Sequence, residues 1–437
     1  MDVLKVTLCM LCIVIPHCNA APPVARQNVK PTQALFQGPQ VYLTVSPEAG
    51  YRNQGGTTIL LDRLLVINWA NFQNTAADVI GIFNEDPSKM STKALEEYPV
   101  NGTSGSIKSS VRYERRTLSA SMERCLGFWV AYLRTEDGVT SVLKSSCLQV
   151  YPTWMKDLKN EIGNVPLHSL MIPGTHNAGS WIYYQGLPSE GVLIEYTYCH
   201  EDSIYEQLIH GIRSLDVRVG HYPNFAEKWY TNHGDVRIRP LQPLLDDVKK
   251  FVAETGEIVL LDFHRFPVGF TNADVHRDFV AFLQQELGDL LAPKSLSLSV
   301  TPEKLWELNR PIVALYSDDG IQSQYDNLWP GVQQAWADTN NLVELESYLG
   351  SSFNDFGCKR NAWSAMAQLT STVEDIIIRP GFGIRGFANL ANLPVTNWYQ
   401  RESWYSKAMI VALDFYLGTN VIAQAIEVNR NNANTCV

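Results

Sequence analysis

No stretch of this chain after its first residues reaches the about 18 uninterrupted apolar residues of a bilayer-spanning helix, so no transmembrane segment is expected. It has no internal repeat and no low-complexity tract, and so does not read as a repeat array. Positive charge is in deficit, with 35 Lys and Arg against 45 Asp and Glu, a formal net charge of −10. That balance argues against broad attraction to nucleic acid or to anionic surfaces, and an anionic substrate would need cations supplied locally. No nucleic-acid partner is expected.

Cysteine is sparse, and three of the eight (Cys9, Cys12, Cys18) fall in the first 20 residues. There Asp2 and Lys5 precede an apolar run, Val6 to Ile15, and Cys18-Asn19-Ala20 precedes Ala21. The run is too short to span a bilayer and ends in small residues, so 1–20 reads as a secretory signal peptide and the exported chain begins near Ala21. A secreted, extracellular location follows, with five cysteines left in an oxidising compartment. Cys125 and Cys147 flank an apparent hairpin, Leu126 to Leu143, and are the expected pair, a loop closure contributing roughly 3 kcal/mol in the chain-entropy view. Cys199, Cys358 and Cys436 leave one thiol whose partner the sequence does not assign. Asn101-Gly102-Thr103 is a glycosylation acceptor in a polar loop, consistent with export.

What the chain does have is bulk: 437 residues, 45% of them apolar, enough for two domains. Residues 21–40 are Pro- and Gln-bearing and aperiodic, a leader or linker. From 41 to 151 short β-type runs alternate with turns, among them Val41 to Val45, Leu64 to Trp69, Val79 to Phe83 and Phe128 to Leu133. That rhythm predicts a β-sandwich domain. Over 152–437 apolar runs alternate with helical patterns, as in Leu241 to Val252 before Ile258 to Leu261, and Val275 to Leu287 before Ile312 to Tyr316. Strands alternating with helices pair in parallel, and over this length a closed barrel fits better than a small open sheet. The fold class expected is α/β, a distorted TIM-type (β/α) barrel preceded by a β-sandwich.

In such a barrel the reacting groups stand where strands end, so charged residues that close apolar runs matter most. Four runs end that way: Leu170 to Thr175 leads to His176-Asn177, Ile212 to Leu215 to Asp216-Val217-Arg218, Ile258 to Leu261 to Asp262-Phe263-His264, and Met409 to Leu413 to Asp414. Period-two alternation puts Asp216 and Arg218 on one face and groups Asp262 with His264. Taken singly, a histidine after Pro-Gly-Thr can simply cap a turn, and an Asp-x-Arg on a strand can be an ordinary ion pair. Several buried charges at one barrel end point instead to function.

These segments, Ser169-Leu170-Met171-Ile172-Pro173-Gly174-Thr175-His176-Asn177, Gly211 to Arg218, His233-Gly234 and Glu257 to Phe263, resemble in order and spacing the X domain of phosphatidylinositol-specific phospholipases C. The resemblance continues through Leu328-Trp329-Pro330 and Trp336 to Thr339 as far as Val411 to Tyr416, and is nearest to the X-domain-only animal proteins. It implies cleavage of an inositol phospholipid by attack of the inositol 2-hydroxyl on phosphorus, with transient membrane-surface contact and no cofactor. His176 matches the general base, Asp414 the carboxylate that orients it and His233 the general acid, and Asp216, beside Arg218, and Asn177 belong to the expected catalytic set. Arg218 stands where bacterial enzymes carry arginine and calcium-dependent ones a metal-binding acid, so it would hold the phosphate without a metal. Asp262 and Trp336 are the expected substrate contacts.

Two positions depart from the bacterial pattern. Asn177 replaces an aspartate that supports the second histidine, and Asp262 replaces a lysine. Asn177, Asp216 and Asp262 together could offer oxygens to a hard cation, against which Arg218 sets a positive charge. Trp181, Tyr183, Tyr184 and Trp398 would be useful at a lipid interface, while His200 and His264 read as locally hydrogen-bonded. Alternatives are a calcium-dependent phosphodiesterase, a glycerophosphodiesterase-type enzyme, for which the second strand offers only one acid, and a degenerate inositol-lipid-binding protein.

Overall fold

The computed structural model describes residues 35–54, 57–89, 93–182, 187–188 and 194–436; the expected signal segment and Tyr183 and Tyr184 lie outside the described residues. All that is described belongs to one compact unit, Ala34–Val437.

The first part contains β1 (Gln40–Gln54), β2 (Thr57–Ala70), β3 (Asp78–Phe83), β4 (Glu96–Pro99), β5 (Gly105–Arg112), β6 (Cys125–Glu136) and β7 (Val139–Gln149). They form two antiparallel sheets, β1-β2-β5 and β4-β3-β6-β7. Alternation puts Leu43, Val45, Leu65 and Ile67 on the inner face of one sheet and Ile80, Ile82, Val130 and Tyr132 on that of the other, all buried in one core. Asp137-Gly138, both at positive φ, turn β6 into β7 within two residues, as a tight hairpin requires. Cys125 and Cys147 are disulfide-bonded across that hairpin as expected, Cys358 pairs with Cys436, and Cys199 is free and buried.

The second part carries β8 (Ile172–Thr175), β9 (Leu187–Pro188), β10 (Ser214–His221), β11 (Trp229–His233), β12 (Val236–Pro240), β13 (Val259–Val268), β14 (Ile312–Tyr316), β15 (Trp329–Pro330), β16 (Gln333–Ala335), β17 (Trp363–Met366) and β18 (Ile410–Leu413). Eight of them run in the order β15-β14-β13-β10-β8-β18-β17-β16, and each adjacent pair is parallel. Only Gly331 and Val332 separate β15 from β16, so the two edges of this sheet meet. One stretch of chain pairs with β14 through its first half and with β17 through its second, closing the ring as a distorted barrel. Gly331 is required there, because a Cβ would lie 2.3 Å from the Ser317 hydroxyl and 2.9 Å from its Cα. β9 joins β2 of the sandwich, and β11 and β12 form a hairpin that extends β10 beyond the barrel wall.

The strands β14 and β18 are buried along their whole length, the continuous apolar pattern of a sheet covered on both faces. Helices Gln242–Thr255 and Ala273–Leu287 fall where the periodicity predicts; the first lays Leu244, Leu245, Val248, Phe251 and Val252 on the core and ends at left-handed Gly256. At the opposite end from the strand C-termini, fully buried Arg213 bonds Glu257 at 2.9 Å and donates to the carbonyls of Leu208, Ile212, Tyr151 and Pro152. It ties the start of the barrel to the chain leaving the sandwich, a scaffold role for one residue of the recognised motif.

Candidate active site

Strand ends bring the expected residues together. His176 follows β8 and its backbone N–H donates to the Leu413 carbonyl at 3.0 Å, which sets β8 against β18 and brings Asp414 behind it. The His176 Nδ1 then lies 2.8 Å from Asp414 Oδ1, both side chains buried. That bond fixes the imidazole with its proton on Nδ1, leaving Nε2 as the basic atom. Asn177 turns the chain at φ 42°, a conformation asparagine tolerates, and its N–H donates to Asp216 Oδ2 at 2.9 Å. Asp216 and Asp262 face one another in register on β10 and β13.

Arg218 donates from Nε and a terminal nitrogen to Asp216 Oδ2, at 3.3 and 3.1 Å. Burial works against the Asp216 charge, but the Arg218 guanidinium, then nearby imidazoles and the Asn177 N–H, hold its carboxyl below the usual range. At Arg218 burial also opposes the charge, but the pairing with Asp216, helped by the acidic groups behind it, raises its pKa. Asp262 goes the other way: burial, then the Asp216 charge, push it well above the ordinary carboxylate value despite a bond from Gln334 at 3.1 Å. Of two neighbouring carboxyls, the one beside arginine is favoured as the carboxylate and the other is pushed toward its neutral form.

His233 arrives from the β11 end of the hairpin, turned by Gly234 at positive φ, with its ring centroid 6.3 Å from that of His176. Its Nδ1 donates to the Thr197 carbonyl at 2.6 Å. Burial, then Arg218 and His176, lower its pKa to about 4, although one edge of the ring keeps some exposure. The support of His233 is thus a backbone carbonyl. The Asn177 amide has no hydrogen-bond partner among the described residues, on either its oxygen or its nitrogen.

Three neighbours went unmarked as site residues in the sequence. Thr197 acts through its carbonyl, and a main-chain group leaves no signal in residue type. Cys199, the odd thiol, hydrogen-bonds Asp414 and is kept protonated by burial. Its sulfur and the ligand atoms of His176 and Asp414 all lie within 4.8 Å of one another. The neutral His200 donates from Nε2 to the His176 carbonyl at 2.8 Å, the local bond expected of it. His264 bonds Ser317 at 3.2 Å. Trp336, just past β16 and half-buried, donates to Thr370 at 2.8 Å with Arg265 over its ring. Trp181 and Trp398 are buried, the first beneath Arg239, so neither offers itself to a lipid surface.

No protein-family model matches the chain. It is 24% identical to human PI-PLC X domain-containing protein 1 over 312 residues, covering 65% of this chain and 94% of that protein. Human PI-PLC X domain-containing protein 2 is 26% identical over 51% of this chain and 79% of its own length. The variant-surface-glycoprotein phospholipase C of Trypanosoma brucei brucei is 30% identical over 37% of this chain and 51% of that protein. A solved phosphatidylinositol-specific phospholipase C from Staphylococcus aureus aligns with 63% of this chain and 96% of its own at 13% identity and a TM-score of 0.46. In sequence, this chain is similar to the PI-PLC X domain-containing proteins.

Proposed function

We propose that this protein cleaves the phosphodiester of phosphatidylinositol or of a glycosylated inositol lipid. His176 Nε2 takes the proton of the inositol 2-hydroxyl, whose oxygen bonds phosphorus as the bond to the glycerol oxygen breaks. His233 gives that oxygen a proton, so diacylglycerol and an inositol cyclic phosphate leave together. The observation that carries the reading is the His176–Asp414 pair at 2.8 Å set edge-on to a second imidazole in one barrel mouth. Arg218 supplies the charge for the phosphate oxygens, and the chemistry is proposed to occur outside the cell.

Oxygens of Asn177, Asp216 and Asp262 are buried without a hydrogen-bond partner among the described residues. Three oxygens suit a hard cation in kind. Arg218 already sets a positive charge on Asp216 Oδ2, however, and burial and the Asp216 charge push Asp262 toward its neutral form, so the set fits the hydroxyls of a polyol better than a cation. The purified protein should therefore release diacylglycerol and a cyclic inositol phosphate from phosphatidylinositol vesicles in excess chelator. No product with or without calcium would refute catalysis, and calcium-only turnover would make these oxygens metal ligands.

A lipid substrate has to reach the mouth from a bilayer, and the rim carries apolar side chains in solvent. Helix Val373–Ile378 starts shortly after the C-terminal end of β17 and exposes Val373, Ile377 and Ile378 by 75%, 72% and 63%. Tyr196, next to Thr197, anchors this helix by donating to the carbonyls of Asp375 and Arg379. Burying one such side chain is worth about 1.5–3 kcal/mol. Ile377→Ser with Ile378→Ser should weaken vesicle binding at least about tenfold by that measure while turnover of a soluble short-chain substrate stays unchanged. Equal effects on both substrates would remove the rim from membrane contact.

A further inference from the structure

One short segment, Thr197–Asp202, touches both histidines and the carboxylate between which the proton relay runs. The Thr197 carbonyl accepts from His233 Nδ1, the Cys199 thiol bonds Asp414, and His200 donates to the His176 carbonyl. The Phe415 N–H, one residue past Asp414, donates to the Cys199 carbonyl at 2.9 Å. The next residue, Glu201, turns its carboxylate away from this mouth and into the interior, where it is 3% exposed.

The partner that meets it comes from the other half of the fold. Arg63 on β2 of the sandwich is itself buried and donates to Glu201 Oε2 at 2.8 Å, while Arg385 of helix Gly383–Trp398 bonds Oε1. Arg385 also donates to the carbonyl of Pro47 on β1, at 2.8 Å. Glu201 is thereby gripped from two sides, two residues beyond the thiol on Asp414 and four beyond the carbonyl on His233. An apolar contact would hold the sandwich to the barrel without fixing orientation; guanidinium–carboxylate bonds are directional, and a displacement of Glu201 is passed along a segment with little slack.

We propose that the sandwich is a working part of the active site, with Arg63 a positioning residue that acts through Glu201 to place the segment Thr197–Asp202 and, through it, His233 and the His176–Asp414 pair. The catalytic consequence rests on the function proposed above; the geometric one does not.

Arg63→Met and Glu201→Gln test this in the full chain, with Arg134→Met as control. Arg134 grips buried Asp78 with two bonds in the other sheet of the sandwich, so its loss disturbs that module without touching the segment. Thermal melting and near-ultraviolet circular dichroism report folding, and nitrogen-15 spectra of the imidazoles report the tautomer of His233. In the Arg63 and Glu201 variants the Nδ1–H form of His233 should lose population to Nε2–H, because the Thr197 carbonyl no longer holds it. Turnover of phosphatidylinositol should fall about 10- to 100-fold, in line with small misplacements of catalytic groups, with KM little changed. The control should lower the melting temperature and leave tautomer and kcat alone. If Arg63→Met does not fold, Arg63→Lys carries the test, since it keeps the charge and loses the fork. Folded variants with the parent's tautomer and kcat would overturn the proposal, as would a control that moves both. Should the parent protein fail to turn over inositol lipid, the proposed reaction falls, and the His233 tautomer still decides the positioning role.

Discussion

His176→Ala is expected to lower turnover of phosphatidylinositol by at least about a hundredfold, and His233→Ala by a similar factor, since acid and base each contribute roughly 10²–10⁴. The two losses differ in kind. Asp414 holds a proton on His176 Nδ1 and stabilises the cation that forms when Nε2 takes up the second, so His176 is built to receive. His233 is held by a neutral carbonyl and has a pKa of about 4, lowered by burial and then by Arg218 and His176, so the free protein carries it as the neutral imidazole, with its one proton on Nδ1, at neutral pH. It becomes an acid only once a phosphodiester anion offsets those charges, which raises its pKa in the complex. A substrate with a good leaving group needs little protonation. It should therefore restore most of the rate to His233→Ala and almost none to His176→Ala. Equal rescue of both variants would sink the assignment of base and acid. Titrating His233 with and without a non-hydrolysable inositol phosphonate checks the second step, and a pKa that fails to rise on binding would count against the acid role.

How much of this was legible in the sequence depends on what kind of group does the work. His176, Asp216, Asp262 and Asp414 close apolar runs, and barrel geometry converts that pattern directly into convergence at one end. The Cys125–Cys147 bond was readable because its hairpin is local, whereas Cys358 and Cys436 are 78 residues apart and meet only through the fold. The hairpin that delivers His233 escaped notice because β11 and β12 are short and partly exposed, with weak alternation. The seam at Gly331 was illegible for a similar reason: β15 and β16 are too short to carry a period. Arg213 is the converse case, a residue whose place inside a motif does not by itself give its role. It sits inside the recognised stretch yet braces the far end of the barrel, and only its partners tell it from Arg218, five residues on.

Arg218→Asp should remove chelator-resistant turnover by at least about 10²–10³, the scale of losing one preorganised electrostatic contact, and the reversal of charge adds to that. Asp216 would lose the guanidinium that does most to offset its burial, so its carboxyl would rise toward the protonated form, and a second acid beside it would push further in that direction. An anionic phosphodiester would then meet oxygens alone. The introduced carboxylate, with Asn177, Asp216 and Asp262, makes a four-residue oxygen set that a calcium ion could neutralise, so added calcium should bring back part of the lost rate in this variant and none in the parent. Arg218→Lys separates charge from geometry: the ammonium keeps the sign but not the fork that reaches two oxygens, so it should retain more activity than the acid while staying below the parent and indifferent to calcium. Chelator-resistant turnover within about tenfold of the parent in Arg218→Asp would be far short of the loss expected for a phosphate clamp and would take the phosphate away from Arg218.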